Sequence, residues 1–287
     1  MRTAIRDLIE RRNPVSVEEY DRVLREAIQL VALLGLWRAK FFEHAAFYGG
    51  TALRIVHGLP RFSEDIDFSL LVQNLDFSLE RYFDALQTEL HAYGLACSVI
   101  EDRRTASQIE SAFIKANTRK HVLEVAPETG LAQRIPPNQL LRVKLEVDTD
   151  PPGGFSTEAR PVLEPVPFTV RVYTLPDLFA GKMHGVLCRR WATRVKGRDW
   201  YDLIWFLQRN TPLHLAHLES RMRQSGHWSV SEPLDAAAFR RLYAERVDST
   251  DFVRAVNDVM PFIADPRELE AWGHALFLSL SDQIRFT

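Results

Sequence analysis

The stretch from Ala45 to Leu70 leaves the chain few ways to fold. An apolar run, Ala45-Ala46-Phe47-Tyr48, stops at Gly49-Gly50-Thr51 and gives way to Ala52-Leu53-Arg54-Ile55-Val56, which Gly58-Leu59-Pro60 ends. This order predicts a strand, a tight glycine turn and a short helix. Ile66, Phe68 and Leu70 then alternate with Asp65, Asp67 and Ser69. That period of two predicts a second strand with carboxylates on one face and apolar groups on the other.

Elsewhere the periods are plainer. Tyr20, Val23, Leu24, Ala27, Ile28, Val31 and Leu34 recur at helical spacing from Val17 to about Phe42, with Ser16 and Glu19 placed for a capping box. Phe77 to Tyr93 reads as a helix stopped by Gly94, and short β-like runs follow at 96–100, 112–115 and 121–125. Leu140 to Asp148 is a clear strand, with Lys144, Glu146 and Asp148 on one face and Leu141, Val143, Leu145 and Val147 on the other. Val166 to Tyr173 closes the strand-rich part. From Thr174, with Pro176 and Asp177 in the first turn, every segment reads as helix: about 175–190, 198–208, 213–225, 236–247, 252–260 and 268–281. The expected fold is α+β, residues 1–173 forming a domain with a mixed β-sheet and residues 174–287 a helical domain.

Composition narrows the class of protein. With 46% hydrophobic and 26% charged residues the usage is that of a globular chain. Its most apolar stretch, Ala27 to Trp37, includes Gln29 and is too short to span a bilayer. The first residues mix both charge signs, which predicts a cytoplasmic protein. Cys97 and Cys188 are expected to be reduced thiols without zinc-ligand spacing, and His44, His57, His121 and His184 to be ordinary structural histidines. Trp200, Trp205, Phe206, Phe239 and Phe262 are expected to pack between helices. A formal charge of −2 excludes a wholly basic nucleic-acid binder. Lys182, Arg189, Arg190, Arg194, Lys196, Arg198 and Arg209 nevertheless crowd against only Asp199 and Asp202, a local patch suited to a polyanion or to solvent.

The chemistry concentrates at the glycine turn and the acidic strand. Two glycines before a helix let a phosphate approach the backbone, and the free N–H groups of the helix start favour an anion. Asp65 and Asp67, about 7 Å apart on one strand face, repel each other unless a cation lies between them. Their hard oxygens suit Mg²⁺. A phosphate seat beside a magnesium site predicts phosphoryl or nucleotidyl transfer. Arg54 and Arg61 read as phosphate ligands, as neutralisers of the acidic pair, or as both. Lys182 and Arg189, seven residues apart on one helix face and so about 10 Å apart, could serve a triphosphate. Arg198 can pair with Asp202 at i,i+4.

The segments G-G-T-x-L-R at 49–54 and R-x-S-x-D-I-D-F at 61–68 resemble the first motif of the polymerase-β-like nucleotidyltransferase superfamily, in the form of the AbiEii/AbiGii-type toxin family, MenT-like proteins included. Lys144-Leu145-Glu146 resembles that family's K-x-E strand, and Lys182 with Gly197-Arg198-Asp199-Trp200-Tyr201-Asp202 its distal K…R-D-x-x-D signature. The resemblance implies a metal site of Asp65, Asp67 and Glu146, with Asp148 in reserve, and catalytic roles for Asp65, Asp67, Lys182, Asp199 and Asp202. Nucleotide contacts fall to Gly49, Gly50, Thr51, Arg54, Ser63, Lys182 and Arg189, with Lys144, Arg61 and Arg198 supporting. It further implies NTP as substrate, Mg²⁺ as cofactor in two ions, a tRNA 3′ end as acceptor and a separately encoded antitoxin. Lys144 and Glu146 could equally be a plain charge pair. Two other readings stay open: transfer to a small antibiotic-like molecule, and an idle binding protein that keeps the fold.

Overall fold

The computed structural model describes residues 2–102, 109–119, 131–189 and 195–287. The run 121–125, together with His121, Arg190 and Arg194, lies outside the described residues. The chain divides into two compact units. One holds residues 1–56, 64–151 and 159–172; the other holds 57–63, 152–158 and 173–287.

The first unit is built on a seven-stranded mixed sheet. Its strands are β1 (Ala45–Tyr48), β2 (Ile66–Leu70), β3 (Cys97–Glu101), β4 (Ile109–Asn117), β5 (Leu140–Asp148), β6 (Thr157–Val162) and β7 (Phe168–Tyr173), in the order β3-β4-β5-β2-β1-β7-β6. β1 and β2 pair antiparallel, whereas β2 with β5 and β1 with β7 are parallel. The expected mixed sheet is therefore present. β6 was not expected, because Thr157-Glu-Ala-Arg-Pro-Val162 has no apolar alternation; it occupies the sheet edge, where one mostly exposed strand needs none.

Helices α1 (Arg2–Arg12), α2 (Val17–Arg38), α3 (Gly49–His57) and α4 (Phe83–Ala92) complete this unit. Ser16 caps α2 by accepting from Glu19 N, as the capping box predicts, while the Glu19 carboxylate reaches Val15 N. Ile28, Val31 and Leu34 of α2 are fully buried. Beneath them Phe41 meets Phe68 edge-on at 4.7 Å and Tyr82 at 5.1 Å, and this aromatic core anchors β2. Gln29, the polar break in the apolar stretch, is also buried; its Nε2 donates to the carbonyl of Glu64, fixing the backbone just before Asp65.

Helices of the second unit are α5 (Leu175–Cys188), α6 (Gly197–Gln208), α7 (Leu215–Gln224), α8 (Ala236–Asp248), α9 (Phe252–Val259) and α10 (His274–Leu280). They fall where the helical periods place them, except that the last is shorter and preceded by a 3₁₀ turn at Pro266–Leu269. Phe179 stacks on Phe206 at 4.5 Å, and Trp200 packs against Phe252 and Phe277. Trp200, Trp205, Phe206 and Phe239 are buried as expected, while Phe262 is half-exposed. Gly197 opens α6 against the backbone carbonyl of Ala255 in α9, leaving no room for a Cβ. Among the described residues no helix is long and apolar enough to cross a membrane.

Candidate active site

Sheet register gathers the acids of the first unit. Asp67 in β2 lies directly opposite Glu146 in β5, and Ser69 lies opposite Asp148. Parallel neighbours in register project their side chains to the same face, so Asp67 and Glu146 share one face. Asp65 stands two residues before Asp67 at the mouth of β2 and is half-exposed like it. Asp148 is occupied differently: its carboxylate accepts from Asp150 N at 3.1 Å and fastens the strand end. Lys144 Nζ makes an ion pair with Glu146 Oε1 along the same strand face. The acidic face thus carries a cation at Glu146, a stand-in for the positive charge such a donor set attracts. Asp67 and Glu146 on one half-exposed face, with Asp65 just before β2, offer hard oxygen donors of the kind a divalent ion takes.

The glycine turn abuts this face. On the other side of β2, Tyr48 of β1 pairs with Asp67, so Gly49 follows at the carboxylate. Gly49 has φ +81°, and an added Cβ would collide with Asp67 Oδ2. α3 begins at Gly49 itself, which places its unpaired N–H groups next to the acids. Thr51 is fully buried, and its hydroxyl donates to the carbonyl of Asp65. Its side chain therefore braces the acidic strand. Arg54 Nε pairs with Glu26 at 2.5 Å, a carboxylate that also takes Arg12 at 2.8 Å.

These contacts make Gly49→Ala informative. The left-handed backbone costs a side chain about 1 to 2 kcal/mol, and the collision adds to it. We expect lower thermal stability together with lost transfer activity; wild-type turnover in G49A would show that Asp67 need not stay where the turn puts it.

In the second unit the distal signature forms a buried ion network. Arg61 is only 2% exposed and makes a two-pronged pair with Asp202, Nε to Oδ1 and Nη2 to Oδ2, both at 2.6 Å. Lys182 Nζ lies 2.8 Å from Asp202 Oδ2 and 3.3 Å from Asp199 Oδ1, so both acids orient it. Arg189, at the C-cap of α5, reaches toward Asp199 at 3.8 Å. Arg61 is thus paired with Asp202, an acid of α6 and not of the acidic strand. Arg198 spreads its guanidinium 4.1 Å over the Phe262 ring, and Arg209 lies 4.4 Å over Trp205. Ser63 is half-buried in the loop before β2.

Burial would push both Asp199 and Asp202 up, yet surrounding cations hold them well below the usual carboxylate range. For Asp199 these are Lys196, Lys182, Arg189 and Arg61; for Asp202 they are Arg61 and Lys182. Asp199 favours the charged form of Lys196, but burial and its positive neighbours outweigh it and bring that lysine below its ordinary value. A depressed carboxylate stabilises the fold above its unfolded value and ceases to do so as pH falls. Stability from this pair should therefore be intact above the ordinary aspartate value of 3.8 and decline below it. Thermal unfolding followed from about pH 6 to about pH 3 should steepen near that point in the native protein. It should flatten in Asp202→Asn.

Of the sequence-predicted residues, the first unit sets Asp67 opposite Glu146, Lys144 on Glu146, Gly49 against Asp67 and Thr51 on the Asp65 backbone; the second brings together Lys182, Asp199, Asp202, Arg61 and Arg189. Sequence reading missed Gln29 as a brace for Glu64 and Arg61 as the partner of Asp202. A polar residue inside an otherwise apolar helix was the only sign of the first.

The model of the family described as "Nucleotidyl transferase AbiEii toxin, Type IV TA system" matches residues 31–277. Among solved structures the chain is similar to MenT4, a nucleotidyltransferase toxin from Mycobacterium tuberculosis H37Rv, with 18% identity over 98% of this chain and 90% of that one and a TM-score of 0.52. JHP933 from Helicobacter pylori aligns at 16% identity over 91% and 90%, with a TM-score of 0.47. No curated protein matches. With the family model covering most of its length, and with the family's motifs in place, the chain belongs to the AbiEii family of nucleotidyltransferase toxins of type IV toxin–antitoxin systems.

Proposed function

We propose that this nucleotidyltransferase moves a nucleoside monophosphate from a magnesium-bound NTP to the 3′ end of a tRNA, in the cytoplasm, and that a separately encoded antitoxin restrains it. The observation that carries the metal-dependent part is the register of Asp67 opposite Glu146, with Gly49 pressed against Asp67. Asp65, Asp67 and Glu146 would hold the metal, in two ions, with Lys144 releasing Glu146 as they enter. Magnesium bound there supplies charge neutralisation for the triphosphate and a lowered pKa for the attacking hydroxyl. The Gly49–Thr51 turn offers backbone N–H groups to phosphate, while Thr51 and Gln29 keep the Asp65 backbone in place. Lys182 and Arg189 are assigned to the triphosphate; Asp199 and Asp202 are positioning residues for Lys182. Residues 1–173 and 174–287 are our proposed domains.

A second reading, a small hydroxylated acceptor, is favoured by one observation. Lys182, which sequence reading placed in a basic patch, is turned to carboxylates and only 11% exposed at its side chain, which thins the surface for a polyanion; Arg189 remains 46% exposed. One experiment separates the two. Purified protein is incubated with Mg²⁺, total bacterial tRNA and each α-³²P-labelled NTP, with Asp65→Ala/Asp67→Ala as control. Label on tRNA from one nucleotide, absent in the control, supports the proposal. NTP binding without labelled RNA moves the acceptor to a small molecule, and absence of NTP binding overturns the catalytic reading.

A further inference from the structure

We propose that His184, Cys188 and His227 form a binding site for one Zn²⁺ ion, a site that uses none of the carboxylates assigned to nucleotidyl transfer. Helix α5 places His184 and Cys188 four residues apart, one turn on the same face. The segment after α7 adds His227. One potential ligand atom from each lies within 4.8 Å of the other two. Zinc bonds of about 2.0–2.1 Å to nitrogen and about 2.3 Å to sulfur set ligand atoms roughly 3.3–3.8 Å apart. Closing the site therefore takes about an ångström of side-chain movement, which falls to His227, the exposed member of the three.

Ser225 gathers the two rings. Its hydroxyl lies 2.8 Å from His184 Nε2 and 3.0 Å from His227 Nδ1, and it is itself anchored by donating to the carbonyl of Arg221. Each imidazole thus has one nitrogen within hydrogen-bond distance of the Ser225 hydroxyl. Such outer hydrogen bonds orient ligating histidines at metal sites. The end of α5 is held as well, because Arg246 Nη2 donates to the carbonyls of Leu187 and Arg189.

The donor chemistry selects the ion. Two imidazoles and a thiolate suit zinc, whereas the hard carboxylates of β2 and β5 suit magnesium. Three protein ligands leave a fourth position for water. On binding, the Cys188 Sγ–H proton passes to solvent as the metal–sulfur bond forms, and no oxidant is needed. Arg221 and Arg189 bring positive charge to the His184 side; the thiolate formed by ligation compensates it. A bound ion would tie the His227 segment to the last turn of α5, the helix that carries Lys182. The sequence reading of Cys188 as a reduced thiol holds, since it is a free cysteine; the proposal adds a ligand role to it and to His184.

The test uses full-length protein in an Asp65→Asn/Asp67→Asn/Glu146→Gln background, which removes the competing carboxylates, stripped with chelator and titrated with Zn²⁺ and with Co²⁺. One equivalent of either metal is expected, with thiolate-to-cobalt charge-transfer absorption and the intense visible bands of tetrahedral cobalt. Cys188→Ser should abolish the charge-transfer band. His227→Ala, at an exposed position that cannot disturb the core, should weaken binding at least about tenfold. Binding below stoichiometry, cobalt without the thiolate band, or unchanged affinity in H227A would overturn the proposal. Because these readouts involve no nucleotide, they stand or fall independently of transfer activity.

Discussion

Replacing Asp67 with asparagine is expected to lower nucleotidyl transfer by at least about 10³-fold, about 4 kcal/mol of transition-state stabilisation, while leaving thermal stability unchanged or slightly raised. Asparagine keeps the shape of the side chain beside Gly49 and across from Glu146, so packing in β2 is preserved. What disappears is one negative charge from a face that also carries Asp65 and Glu146, with Lys144 paired to Glu146. Like charges on one sheet face are destabilising, and removing one relieves that repulsion. A structural role predicts the opposite pattern, lower stability with activity falling only in proportion. Label transfer and unfolding temperature measured on the same preparation separate the two. Activity within tenfold of the native protein would remove Asp67 from the metal site.

How much of this site was legible before the structure depends on the range of the interaction. The strand, glycine turn and helix at 45–57 and the alternation at 65–70 are local, and local periodicity revealed them. Glu146 was favoured over Asp148 only by its resemblance to the K-x-E strand; the parallel register aligns Asp67 with Glu146 and Ser69 with Asp148, whose carboxylate accepts from Asp150 N, and neither contact could be read from the sequence. Arg61 pairs with Asp202 across 141 residues, and no period in the chain encodes such a contact. Sequence spacing instead suggested Arg198 for Asp202, since i,i+4 neighbours are the only partners a helix reveals by itself. Strand β6 was hidden for a different reason: an edge strand with little to bury carries no alternation.

The buried pair at the second unit's centre carries the largest stability effect. Asp202→Ala is expected to destabilise the protein by about 3 to 5 kcal/mol, lowering the unfolding temperature by on the order of 10 °C. The cost comes mainly from Arg61, which is 2% exposed and would keep its charge with its carboxylate gone. Lys182 would retain Asp199 and so lose less. If an orphaned charge is the cause, removing the other partner as well must help. The double variant Arg61→Met/Asp202→Leu should be more stable than either Arg61→Met or Asp202→Leu alone, because two apolar groups of similar volume leave no ion to desolvate. Denaturant unfolding of the native chain, both single variants and the double gives the coupling energy directly. Simple additivity would mean that Arg61 and Asp202 stabilise the fold through other neighbours. A strong coupling would assign the pair to architecture, leaving Lys182 as the member of the network whose replacement affects turnover more than stability.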